Sequence, residues 1–273
     1  VIGPLWHLLP GARYERMYGS HLNPNTFVSM TSISDHLHFA GGLWSESRKE
    51  IGEPNLHDEY GGGHSHCGGM IYLGDNWPEQ YRGKMFMCNT HGKRVNMDAL
   101  RRAGSSYTAE HGQDFLFANS DWFRGVELKY GPDGGVFLTD WTDLGECHDR
   151  DGIHRRSGRI YKITYGKPSR LAAFDLQDLS TPELIDLQNH KNDWFVRHAR
   201  RILQERAVGD GDLTTAVRLL KNRFRESVDT TRKLRFLWCL HALGQSGAVL
   251  EDLLNDSNEH LRVWGVRLLF END

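Results

Sequence analysis

The chain has 273 residues, 38% of them hydrophobic and 25% charged, and a formal net charge of −3. That length holds one or two domains with a sizeable core, and the charge balance gives no global attraction to nucleic acid. No apolar run of 18 residues occurs, so the sequence contains no transmembrane helix.

The first part of the chain is rich in glycine, aromatic residues and histidine. His36 and His38 form one His-x-His pair, and His64 and His66 form a second beside Gly61-Gly62-Gly63. On an extended strand residues i and i+2 point the same way. Each pair can therefore offer two imidazoles to one ligand, and the two pairs together are a candidate metal site. The competing reading is a set of hydrogen-bonded structural histidines. Strands are expected over Met70–Leu73, Lys84–Asn89, Lys93–Met97 and Phe115–Ala118. Lys93 and Arg94, in His-Gly-Lys-Arg-Val-Asn, and Arg124 further on, are candidates for holding an anionic group. The alternative is charged turn residues on a solvated rim.

Val126–Tyr130 and Val136–Asp140 alternate as strands and flank Gly131-Pro132-Asp133-Gly134-Gly135. Pro132 presets φ and the glycines accept positive φ, so this segment predicts a hairpin. A further strand is expected over Arg159–Thr164. Between them lies a loop dense in ligand and acid–base types. Asp143, Glu146, Asp149 and Asp151 are candidate hard-oxygen ligands for calcium, though not at EF-hand spacing. Cys147, His148 and His154 are candidates for a softer metal, and His64, His66 and His148 are candidate general bases. A polar loop satisfied by its own turns and by Arg155, Arg156 and Arg159 is the structural alternative. Asp140 and Trp141 read as a buried pair closing a turn. Four cysteines, Cys67, Cys88, Cys147 and Cys239, form no Cys-x-x-Cys and no Cys-x-x-Cys-His. Paired-cysteine zinc and covalent haem within this chain are unsupported; free core thiols and a disulfide both remain compatible with the spacing.

After Pro168 glycine becomes scarce, leucine and arginine dominate, and the period changes from two to 3.6. Ser180-Thr181-Pro182-Glu183 opens a helix with a cap, a first-turn proline and an early acid. Val196-Arg197, Leu234-Arg235 and Leu261-Arg262 recur at intervals of 38 and 27 residues, each after Asp193, Asp229 or Asn258. This is a loose repeat of two-helix units, and its arginines are expected to bond helix ends.

The strings GPDGGVFLTDW and SGRIYKI resemble the closing blade of a sugar-dehydrogenase-like β-propeller. The string GGGHSHCGGMIYLGDNWPEQYRGKMF, followed by HGKRVN, resembles the PVC-type membrane-bound dehydrogenases of planctomycete-like bacteria, over most of residues 1–270. The expected fold is multidomain, β then α. Residues 1–167 would be the last blades of a partial β-propeller, residues 168–179 a linker, and residues 180–273 an α-solenoid of HEAT-like repeats. Glycine-rich turns suit short-stranded blades; roughly two fit, so the chain reads as a fragment.

The resemblance implies pyrroloquinoline quinone held by Arg94, Arg124 and Lys93, with calcium polarising the quinone and a histidine as base. It also implies a c-type haem domain beyond this chain. The expected function is part of a quinoprotein-like sugar or alcohol dehydrogenase in the periplasm or cell envelope, inactive as this fragment alone. The alternative is a non-catalytic scaffold. It would bind a sugar or polysaccharide through tryptophan and tyrosine, or a protein partner through the helical repeats.

Overall fold

The computed structural model describes residues 4–9, 11–14, 29–35, 65–144, 152–154, 156–167, 171–208 and 213–271. The chain divides into two compact units, Val1–Pro168 and Ser169–Asp273.

The first unit is built of antiparallel strands. β1 (Pro4–Leu5) pairs with β2 (Ser34–Asp35). A five-stranded sheet follows, comprising β3 (His66–Ile71), β4 (Met85–Asn89), β5 (Arg94–Ala103), β6 (Ser106–His111) and β7 (Leu116–Phe117). β5 organises it, with β4 on one side and β7 and β6 in succession on the other. A three-stranded sheet has β9 (Val136–Asp140) between β8 (Gly125–Tyr130) and β10 (Arg159–Ile163). The expected hairpin joins β8 to β9: Gly131 and Gly135 bond across the turn at 2.9 Å, and Gly134 takes φ +72°.

These sheets correct the expectation of a partial β-propeller followed by an α-solenoid. Besides the β1–β2 pair, the described strands form two small open sheets of five and three strands, neither of them closed, and six helices follow among the described residues. Turn chemistry and a period of two specify hairpins, and the hairpins form. How many strands share a sheet, and whether sheets ring a channel, depends on packing that the period does not encode.

β3 and β4 pack on β8. Between the sheets lie Phe86, Cys88, Leu128, Val136 and Leu138, all nearly inaccessible. Beside them Trp77 stacks on Tyr72 (4.6 Å) and on Phe115 (4.5 Å), and Phe86 meets Trp77 edge-on at 5.2 Å. The Tyr72 hydroxyl accepts from the backbone amides of Asn76 and Trp77 and donates to the Gly134 carbonyl at 2.9 Å. A buried phenol needs such partners.

The second unit contains α1 (Thr181–Asp186), α2 (Asp193–Val208), α3 (Leu213–Glu226), α4 (Thr230–Ala242), α5 (Gly247–Leu253) and α6 (Glu259–Phe270). The Glu183 carboxylate accepts from the Ser180 amide at 2.8 Å and from its hydroxyl, which holds that carboxyl below its usual range. Asp229 caps α4 through the Arg232 amide, and Asn258 caps α6 through the His260 amide. α3 packs on α4 and α5 on α6, while α4 also meets α2 and α6. That central place explains why α4 buries Leu234, Phe236, Leu237, Cys239 and Leu240. No helix among the described residues is long and apolar enough to cross a membrane.

Candidate functional site

Three groups expected to meet an anion occupy different settings. Arg94, at the start of β5, is fully buried. Its Nη1 lies 2.8 Å from Asp114 Oδ2, its Nε donates to the Gly92 carbonyl, and its guanidinium sits 4.9 Å above the Phe117 ring. Asn96 donates to Asp114 Oδ1, and Asn89 donates to Asn96 at 3.1 Å. His111 lies 3.2 Å from Asp98 and 3.5 Å from Asp114. Strand alternation puts Arg94, Asn96 and Asp98 on one face of β5, and the result is a buried polar network inside the first sheet.

Arg124, also buried, donates to the carbonyls of Asp121, Phe123 and Leu144. Its amide and that of Thr142 donate to Asp140 Oδ1, while Arg159 pairs with Asp140 Oδ2 at 2.8 Å. Lys93 pairs with the exposed Asp121, whose carboxyl is held below its usual range by that hydrogen bond. The hydrogen bonds described for Arg94 run to Asp114 and Gly92, and those for Arg124 to the carbonyls of Asp121, Phe123 and Leu144. Those partners hold both guanidinium groups in the interior, where an unpaired cation would be costly.

The remaining candidates fall as follows. His66 opens β3 opposite Asn89. Asp143 is buried, and its amide donates to the Trp122 carbonyl at 2.9 Å. His154 is exposed and meets the Trp122 ring edge-on at 4.4 Å. His36, His38, His64, Glu146, Cys147, His148, Asp149 and Asp151 lie outside the described residues. Among the described residues no three His, Cys, Asp or Glu side chains gather in a group that could hold a metal.

Cys67 and Cys88 face one another across β3 and β4, and with Cys239 they are free thiols. Burial pushes all three thiols up, Cys239 to about 12. A thiolate is the reactive form. Iodoacetamide at mildly alkaline pH is therefore expected to spare Cys88 and Cys239 in the folded chain and to label both after unfolding. Peptide mass spectrometry reads this, and prompt native labelling of Cys239 would contradict it.

The arginines of the helical repeat bond helix ends as expected in two cases. Arg235 donates to the carbonyls of Gln188 and His190 and pairs with Asp193 at 3.0 Å. Arg262 donates to the carbonyls of Asp256 and Ser257. Arg197 pairs with Asp193 one turn away.

One surface was misread from the sequence. Asp140 is buried, but Trp141 is 65% exposed. Phe137 (40% exposed), Thr139 and Trp141 continue the outward alternation of β9. The register sets Lys162 and Ile160 of β10 opposite Phe137 and Thr139, and Lys129 and Glu127 of β8 opposite the same two residues from the other side. Ile160 is 75% exposed, and Lys162 Nζ lies 5.1 Å from the Phe137 ring centroid. The outer face of the second sheet thus carries two exposed aromatic residues, Phe137 and Trp141, and the exposed Ile160, bordered by charged and hydroxyl groups. Among the described residues β10 pairs only with β9.

A family described as a domain of unknown function (DUF7133) matches residues 15–167, and the chain belongs to that family. No curated protein and no solved structure matches the chain.

Proposed function

We propose that the chain is a non-catalytic binding module whose recognition surface is the outer face of the second sheet, with a glycan as its ligand. The observation that supports this is the exposure of Trp141, Phe137 and Ile160 on one face, with Thr139, Lys129, Lys162 and Glu127 around them. Large apolar side chains gathered on a surface mark interaction sites. An aromatic ring offers a flat apolar platform to a sugar ring while neighbouring polar groups take its hydroxyls.

Affinity electrophoresis against a panel of neutral polysaccharides tests the proposal. Trp141→Ala is expected to weaken retardation roughly three- to tenfold. Tyr107→Ala, on the separate strand β6, is expected to leave it unchanged. If no polysaccharide retards the chain, or if Trp141→Ala migrates as the parent does, the glycan reading fails.

A further inference from the structure

The helical unit carries a second surface of different chemistry. On α3, Thr214, Val217 with Arg218, Lys221 with Asn222, and Arg225 recur every three to four residues and so share one face. With Leu213 and with Gln245 from the turn between α4 and α5, they line a groove of about 450 Å³. Arg218 and Arg225 are exposed; Lys221, Val217 and Leu213 are half-buried. Arg223 of the same helix leaves this face and pairs with Asp186 at 2.7 Å. Among the described residues no carboxylate pairs with Arg218, Lys221 or Arg225.

Like charges one turn apart repel, so among the described residues the fold leaves an unbalanced positive stripe along an open groove beside Leu213 and Val217. We propose that this groove receives an acidic segment of a protein partner. Guanidinium forks accept carboxylates in two-point contacts. Carboxylates spaced by one helical turn would meet Arg218, Lys221 and Arg225 in register, and aliphatic side chains between them would rest on Leu213 and Val217. Three cations on one helix, within a chain of net charge −3, fall short of the broad basic field that nucleic acid requires. The groove lining contains no aromatic platform for a sugar. This surface belongs to the helical unit and the glycan face to the first unit, and the two are tested by different variants and ligands, so the two proposals can fail separately.

The test is fluorescence anisotropy on the full chain. The probe is a labelled Leu/Ala peptide with Glu at every third or fourth position, and the control is the same peptide with Gln in place of Glu. Saturable binding of the Glu peptide is expected, weakening as salt rises. Arg218→Glu with Arg225→Glu should reduce affinity at least about tenfold, and Arg201→Glu on α2 should not. If the reversal lowers helical content by circular dichroism, Arg218→Gln with Arg225→Gln repeats the measurement at neutral charge. Equal binding of the Gln peptide overturns the proposal, as does binding indifferent to both double variants. Tighter, groove-dependent binding of heparin oligosaccharide or single-stranded DNA than of the Glu peptide also overturns it, by assigning the groove to another class of polyanion.

Discussion

Replacing Asp114 by alanine is expected to destabilise the first unit by about 3–5 kcal/mol, because removing one partner of a buried ion pair strands the other. The side chains of Arg94 and Asp114 are 0% and 1% exposed, and Nη1 and Oδ2 lie 2.8 Å apart. Asn96 loses an acceptor in the same step. Solvent cannot compensate a guanidinium so enclosed. Replacing the pair together, Arg94→Met with Asp114→Leu, should recover much of the loss, since two apolar groups of similar volume leave no charge behind. Urea unfolding and hydrogen exchange at the β4 and β5 amides, measured also on Arg94→Met and Asp114→Leu singly, give the double-mutant cycle. A loss below about 1 kcal/mol for Asp114→Ala would show that the pair contributes only what a surface pair does.

Gly68→Ala is expected to cost about 2–5 kcal/mol through two additive causes. Gly68 has φ +63°, a conformation that strains an L side chain. A methyl group there would also stand 2.6 Å from both the Cα of Glu127 and the carbonyl oxygen of Val126. Those neighbours are backbone of β8, which no rotamer change can move aside, so β3 and β8 would have to separate. Gly83 is a fair control because it also has positive φ, +78°, but an added Cβ meets nothing within 4 Å. Gly83→Ala should show the conformational cost alone. Thermal unfolding of both variants separates the causes, and equal losses would remove the close approach of the sheets from the explanation.

What the sequence revealed was local. The turn Gly131–Gly135 forces its hairpin, and Asp229 and Asn258 cap their helices from adjacent positions. What it concealed depends on distant partners. β6 carries little strand signal because four of the six residues Ser106–His111 are polar and none is buried, so its two-residue alternation has little apolar contrast. The one local hint was Gly104, which takes φ +60° in the two-residue link between Ala103 and Ser106. Arg94 reads from the sequence as an anion-binding or rim cation because Asp114, twenty residues later in sequence, becomes its neighbour only when β5 has met the segment that follows β6. Trp141 read as buried because tryptophan usually is. Its exposure follows from which face of β9 turns toward the first sheet, and one residue of register decides that.

Arg235 has a temporal meaning as well as a structural one. It closes on Gln188, His190 and Asp193, which precede it by 47, 45 and 42 residues. As the polypeptide emerges from its N-terminal end, the carbonyls that finish the turn after α1 must wait, hydrated, until α4 has been made. The beginning of the helical unit is therefore completed from its middle. The α1–α2 corner matures only when a later helix delivers one guanidinium into it.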